Sequence, residues 1–494
     1  MTNIKNAVIR GGAAKVVAQA MNFAMRIGSL MVLARLLDPR DFGLVGMVTA
    51  ITGVLGLFRD FGLSSAAVQR VDVTHEQSST LFWINMLAGS LLSLLLIAMA
   101  PVVVRFYGEP QLFWVTIALA TVFVINAAGI QHSALLQREM RFTTLATVDI
   151  LSLIVSILVG IWMALQGYGY WALVGLSITA PVVLTMALWF TSGWVPGRPR
   201  RHVGMKSMMR FGGTVTLNGV VVYISFNLEK ALLGRFWGAD SVGLYGRSFQ
   251  LISIPTDSLN TAAGEVAFPA LSRVRDDPER FRNYFLKGYS LVLALTIPIT
   301  VACALFADDL ILVVLGPKWK DAAAIFRLLA PTILIFAMIN PMAWLMFSLG
   351  LVGRSLKLAC VLGPLAIFGY VMGLPYGPRG VAFGYSAMLT LWLVPHIAWC
   401  VHKTPVSFKD VFRTVSQPLI SGLVAAAFAF AMQLMYGPSL LPVLRLAVGV
   451  VVLVLVYLVM LLYVMGQREL YVDLIRGLAR PPSIPEKVLV ANGR

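Results

Sequence analysis

Charge is scarce in this chain: only 12% of its 494 residues are Asp, Glu, Lys or Arg, against about 25% in an ordinary soluble domain. That shortage excludes a globular enzyme or a pair of soluble domains, because neither could cover its surface with so few charges. Long hydrophilic stretches are missing too, so no extramembrane domain is expected and function must reside among the apolar segments or at their mouths. Cysteine is limited to Cys303, Cys360 and Cys400, all inside apolar runs. They read as packing residues with no disulfide framework, and no metal or cofactor is expected. Acid is the rarer charge, 22 residues against 39 basic ones. The excess of +17 does not point to nucleic acid, because the basic residues are spread through short loops instead of clustering on a soluble domain. The first eleven residues, MTNIKNAVIRG, lack the apolar core of a signal peptide, so the first helix is expected to be an uncleaved anchor.

What is abundant is hydrocarbon. Apolar residues make up 59% of the chain, and the mean hydropathy is +0.83. Runs of about 20 apolar residues, enough to cross a bilayer core as a helix, recur along the whole length. The fold class is therefore all-α, a polytopic membrane protein with about 14 spans. These are 12–37, 42–67, 79–103, 112–136, 143–165, 169–193, 208–234, 242–268, 284–306, 322–348, 353–374, 378–401, 410–435 and 441–466. Turn-forming segments separate them: DPRD at 38–41, YGEP at 107–110, QGYG at 166–169, LGPK at 315–318 and PYGPRG at 375–380. Sorting Lys and Arg by alternate loops puts about 24 on the side of the N-terminus and about seven on the other. By the positive-inside rule both termini are expected in the cytoplasm.

The chain carries an internal repeat. LARLLDPRDFGLVG (33–46) returns as LGRFWGADSVGLYG (233–246) at a constant offset of 200, with Leu33, Arg35, Gly43, Leu44 and Gly46 matching Leu233, Arg235, Gly243, Leu244 and Gly246. An even number of spans separates the copies, so the halves share one orientation, as in transporters that rock two bundles about an axis along the membrane normal. The expected organisation is a six-helix lobe over 1–200, a second over 201–403, two additional helices over 404–466 and a cytoplasmic tail over 467–494.

Eight basic residues fall inside spans: Lys15, Arg26, Arg35, Arg59, Lys230, Arg247, Lys287 and Arg327. A charge at a helix centre costs about 2.5–3.5 kcal/mol on insertion scales, so such residues usually face a bundle interior or a water cavity. Lys15, Gln19, Asn22 and Arg26 share one face of the first helix. Arg247, Gln250, Asp257, Thr261 and Glu265 form a comparable stripe in the eighth, and Asn218, Ser225 and Glu229 in the seventh. Polar stripes on repeat-related helices imply a shared cavity, mixed in sign and weighted to the positive, which suits an anionic passenger. For Lys15, Lys230, Lys287 and Arg35, near span ends, snorkelling to the interface is favoured over a cavity role. The triplet Asp60-Phe61-Gly62 has the letters of a kinase magnesium motif, but the Gly-rich loop, strand lysine and H-R-D segment are missing. Arg59 and Asp60 read instead as a charged doublet that either contacts a substrate head group or stabilises the cytoplasmic mouth.

LARLLDPRDFGLVGMVTAI (33–51), RDFGLSSAAVQR (59–70) with LFWIN (81–85), LLQREMRF (135–142) and VVLGPKWKDA (313–322) resemble the polysaccharide transporter family. That family belongs to the multidrug/oligosaccharidyl-lipid/polysaccharide exporter superfamily, and within it the chain is most similar to Wzx-type colanic-acid exporter flippases. The resemblance implies a two-lobed bundle working by alternating access in the bacterial inner membrane. The implied passenger is a polyprenyl-diphosphate-linked oligosaccharide delivered to polysaccharide polymerase machinery, with a proton or sodium ion as coupling partner. On this reading Arg26, Asn22, Lys15, Arg59, Asp60, Arg247, Asn218 and Arg327 are the substrate-lumen candidates. Asp257, Glu265 and Glu229 are the candidate ion-coupling carboxylates. A drug or cation antiporter of the same superfamily would favour an acidic cavity instead. A membrane glycosyltransferase would read DPRD as an acidic pair, where a helix-connecting turn explains it. A passive scaffold has no use for costly polar stripes, so no enzyme and no scaffold is expected.

Overall fold

A computed structural model describes residues 21, 23–58, 74–199, 219–220, 223–436, 440–469 and 471. Lys15, Asn22, Arg59, Asp60 and Asn218 lie outside the described residues. Within them the regular structure is helical throughout, with no strand. Nine helical stretches among them are long and apolar enough to cross a membrane. In chain order the helices are α1 (23–36), α2 (Pro39–Gly56), α3 (His75–Tyr107), α4 (Leu112–Arg138), α5 (Phe142–Leu165), α6 (Tyr170–Ser192) and α7 (Leu228–Arg273). They continue with α8 (Pro278–Leu305), α9 (Ala307–Val314), α10 (Ala322–Leu329), α11 (Pro331–Ser348), α12 (Val352–Gly373), α13 (Gly377–Val401), α14 (Phe408–Tyr436) and α15 (Pro442–Val459).

The breaks follow the turn chemistry. Asp38 caps α2 in a reciprocal box with Asp41, with Pro39 at the first helical position where its missing N–H costs nothing. Thr74 caps α3, accepting from the Gln77 N–H at 3.2 Å, and Gly108 ends that helix in the left-handed region at φ 75°. Gly238, at φ 78°, kinks α7 within the GADS segment that repeats the DPRD turn. The expected span 322–348 is present as Ala322–Ser348, with its helical ladder interrupted between Leu329 and Pro331. Pro331 has no N–H to offer the Arg327 carbonyl, so the helical ladder is interrupted there.

The described residues form two compact units. The first comprises Met1–Leu251, Leu310–Leu329 and Ala359–Leu389. In it α3 packs along α4, α5 along α6, and α4 against α6. Its α12–α13 hairpin closes on small residues: Gly369 and Gly373 face Gly384 and Gly380, where added side chains would strike backbone. Helix pairs in lipid use such contacts for close van der Waals packing.

Loops assigned by sequence to one side of the membrane meet one another in this unit. Arg40 pairs with Glu109 at 2.9 Å, Lys318 with Asp38 at 2.8 Å and Arg379 with Asp321 at 3.3 Å. The Trp237 indole donates to the Leu374 carbonyl at 2.8 Å.

The second unit comprises Ile252–Asp309, Ala330–Leu358 and Thr390–Arg494. Its core gathers Phe281, Phe285, Tyr289, Leu293, Met342, Leu345, Cys400, Val411 and Tyr457. Helix α8 packs against α11 and α14, and α15 lies along α14. Cys303 and Cys400 are buried and all three cysteines are free thiols. Ion pairs Arg282–Asp410 and Arg445–Asp309 tie the ends, the second with Asp309 only 2% exposed.

Candidate functional site

The repeated motif organises one end of the first unit. A Cβ added at Gly43 would overlap the Ala239 carbonyl, and one added at Gly243 would overlap the Pro39 carbonyl. Those two contacts exchange under the offset of 200, so the two copies of the repeat pack on each other about a local twofold. Gly46 continues the seam, its Cβ position lying 3.1 Å from the Val242 side chain. Beside this seam the GPKWK segment folds inward. Trp319 is fully buried, donates from its indole N–H to the Ala34 carbonyl at 2.7 Å and sets its ring edge-on to Phe42, with centroids 5.3 Å apart. Arg35 donates to the Val313 carbonyl at 2.8 Å, so its guanidinium satisfies a helix end.

Behind Phe42 lies a charged cluster. The Arg247 guanidinium stands over the Phe42 ring, 4.4 Å from its centroid, and donates to Gln250. Both contacts favour the cationic form: the ring quadrupole attracts it and the amide oxygen accepts from it. Lys230 donates to the Asn227 amide oxygen at 2.7 Å and lies within electrostatic reach of Glu229 and Arg247. It is therefore part of a polar cluster and not a snorkelling end group. Glu229 is 1% exposed, and its Oε2 has no hydrogen-bond partner among the described residues. Four tyrosines feel its charge, namely Tyr223, Tyr245, Tyr370 and Tyr385. Tyr370 and Tyr385 stack at 5.1 Å, while Tyr223 donates across to the Thr49 carbonyl of α2 at 3.3 Å. A buried carboxylate beside two cations and hydroxyl-bearing rings can hold a cation or exchange a proton, and the guanidinium can receive an anion.

The other sequence candidates among the described residues lie on α1, α7 and α10. Arg26 is exposed on α1 and lies within electrostatic reach of Asp149 on α5. Arg327 is exposed on α10, and Asp257 is exposed on α7 in the second unit. Glu265 lies on α7, its side chain outside the described set. Of the stripe expected on this helix, Arg247 and Gln250 belong to the first unit, Asp257 and Glu265 to the second. Sequence reading missed Asp149, Phe42, Trp319 and the tyrosines. Tyr245, Tyr370 and Tyr385 come from three helices, and only folding brings them to Glu229. Trp319 sits between two lysines, in a segment that composition alone assigns to a loop.

This architecture defines a multi-span helical transporter fold. The chain superimposes on the lipid II flippase MurJ in an inward closed conformation with a TM-score of 0.74, covering 94% of this chain and 100% of that one at 13% identity. It also matches an inward-facing MATE multidrug transporter of the MOP superfamily with a TM-score of 0.59, covering 77% and 93% at 15% identity. By sequence the chain belongs to the family described as polysaccharide biosynthesis protein, which matches residues 32–324. Relatives include the teichuronic acid biosynthesis protein TuaB of Bacillus subtilis, 27% identical over 83% of this chain and 86% of that one. The lipopolysaccharide biosynthesis protein WzxC of Escherichia coli K12 is 24% identical over 87% of this chain and 88% of that one. The resemblance to Wzx-type exporters therefore holds across most of the chain.

Proposed function

We propose that the chain carries a polyprenyl-diphosphate-linked oligosaccharide from the cytoplasmic to the outer leaflet of a bacterial inner membrane by alternating access, as a transporter and not an enzyme. The observation that carries this reading is the Arg247–Lys230 pair, cationic charge held among apolar helices on a fold shared with a lipid II flippase. Keeping a guanidinium there against the insertion cost needs a compensating function, and a diphosphate is the group a planar guanidinium binds best. Arg26 supplies a second positive contact, with Lys15, Asn22, Arg59, Asp60, Asn218 and Arg327 as further lumen candidates. Glu229 is the favoured coupling carboxylate for a proton or sodium ion, ahead of Asp257 and Glu265, because it is buried and lies beside the anion-binding cations. The charge bias of the loops supports cytoplasmic termini and, with them, a Gly43–Gly243 seam at the outer end.

Mass spectrometry of lipid extracts tests the assignment, using cells that lack this protein but retain the rest of the pathway. Accumulation of polyprenyl-diphosphate oligosaccharide is the expected result. An unchanged lipid profile, with no second flippase present, would overturn the substrate and bring the drug-antiporter reading forward.

A further inference from the structure

The seam between the two copies of the repeat is symmetric in its glycines but not in its charge. Phe42 belongs to the first copy, and Arg247 follows the second by one residue. Under the offset of 200 their counterparts are Val242 and Met47, both buried. One side of the local twofold thus carries two apolar side chains where the other carries a ring and a guanidinium, 4.4 Å apart. Van der Waals contact alone closes helix pairs in lipid. The ring and the charge are therefore not needed for packing the seam, and their presence on one side only points to a use.

The ring is braced from behind. Trp319 meets Phe42 edge-on, and its segment is fastened to the first copy. The Trp319 indole donates to the Ala34 carbonyl at 2.7 Å, Lys318 pairs with Asp38 at 2.8 Å and Arg35 donates to the Val313 carbonyl at 2.8 Å. Phe42 and Trp319 are both buried, so packing sets where the ring stands and the guanidinium follows it. Arg247 itself is half-buried, and Gln250 accepts from its Nη1. A guanidinium carries five N–H donors in one plane. A ring at its face and an amide at one nitrogen leave it an edge through which a phosphate can be forked.

We propose that Phe42 is a positioning residue for Arg247, with Trp319 as its brace, and that it ties the hold on the passenger's diphosphate to a closed seam. Gly43 adjoins Phe42 on α2, so parting Gly43 from the Ala239 carbonyl carries the ring off the guanidinium. The anion is held firmly while the seam is shut and weakly once it opens. This inference rests on the reading of Arg247 given above and adds the groups that set its affinity.

Binding of polyprenyl diphosphate bearing no sugar to the purified full-length chain, titrated in detergent and followed by native mass spectrometry, tests this. Phe42→Leu keeps apolar bulk but loses the ring, and should weaken binding about 2- to 30-fold. Phe42→Tyr keeps the ring face and should restore it. Trp319→Phe should weaken binding in the same direction. In an Arg247→Gln background Phe42→Leu should change nothing further, because the ring acts through the guanidinium. Gly43→Val, which wedges the seam, should weaken binding by itself and leave Phe42→Leu little to add. Unchanged affinity in Phe42→Leu would overturn the proposal, as would a loss of equal size with and without Arg247, the result of packing alone. Unchanged affinity in Gly43→Val would overturn the link to the seam. Either result leaves the passenger assignment standing if Arg247→Gln is itself weakened. Arg247→Gln that binds as tightly as the unaltered chain would overturn the passenger-binding role of Arg247, and this proposal with it.

Discussion

Arg247 is where the anionic-passenger reading is tested by a single side chain. Replacing it by Ala removes a charge-assisted contact of about 1.5–3 kcal/mol, which corresponds to about 10- to 100-fold in translocation rate if the bond forms in the rate-limiting state. Arg247→Lys keeps the charge but loses the planar fork and the stacking on Phe42, so it should fall between the two. Export measured in a deletion strain, normalised to the amount of protein in the membrane, checks both. Normal export by Arg247→Ala would remove the guanidinium from the site. Glu229→Gln addresses coupling. It should still equilibrate passenger between leaflets, while transport no longer responds to an imposed proton or sodium gradient. A variant that keeps the gradient response would shift the coupling role to Asp257 or Glu265.

Both residues were visible in the sequence, because a charge inside an apolar run announces its own cost. Their surroundings were not. Tyrosines are unremarkable in membrane helices, and Tyr245, Tyr370 and Tyr385 become a cage only when α7, α12 and α13 meet. Asp149 is one acid two turns inside its helix, and nothing in its neighbours names Arg26 as its partner.

At the scale of elements, the Gly43–Gly243 seam explains why the repeat keeps glycine where it does. Neither position has room for a Cβ, because each faces a carbonyl of the other copy. Gly43→Val or Gly243→Val should hold the seam apart and abolish export while the protein still inserts. The complementary experiment joins Gly46→Cys to Val242→Cys in a background free of Cys303, Cys360 and Cys400. A Cβ at Gly46 would lie 3.1 Å from the Val242 side chain, which is what suggests the pair. Oxidation should stop transport and reduction should restore it. Transport that continues with the bond formed would show that the seam need not open. Beside the seam, Trp319→Phe should cost about 0.5–1.5 kcal/mol of stability from the lost bond to Ala34, whereas Trp319→Ala should cost about 3–5 kcal/mol as a core truncation. Thermal unfolding distinguishes them.

Helix boundaries were largely readable in advance, since Asp38-Pro39, Gly108 and Gly377 act locally through φ and missing N–H groups. The break at Pro331 was not, because proline is common inside membrane helices and its local signal is the same whether the helix bends or stops. The GPKWK segment was read only as a turn and part of a family motif, not as a core element. Lys318 pairs outward with Asp38 while the tryptophan beside it turns into the core, and composition averages the two.

For the whole molecule, the shortage of charge and the recurrence of apolar runs determine the class, because few other arrangements can bury so much hydrocarbon. The offset of 200 was legible in the sequence, but that the two copies touch, Gly43 on Ala239 and Gly243 on Pro39, is seen only in the structure. What sequence could not supply is which polar residues share one space, since that depends on how distant helices meet. The loop charge bias makes one further prediction: a reporter fused to the C-terminus should be active in the cytoplasm and silent on the outer side, and the reverse would invert the transport direction argued above.

The central claim is tested most directly by reconstituting the purified protein in liposomes. Those liposomes would carry polyprenyl-diphosphate oligosaccharide extracted from the deletion strain, with leaflet exposure followed by an added glycan-cleaving enzyme. The account predicts that the protected, inner-leaflet half of the lipid becomes cleavable with the unaltered protein, and about 10- to 100-fold more slowly with Arg247→Ala. Protection that persists in the presence of the unaltered protein would contradict it.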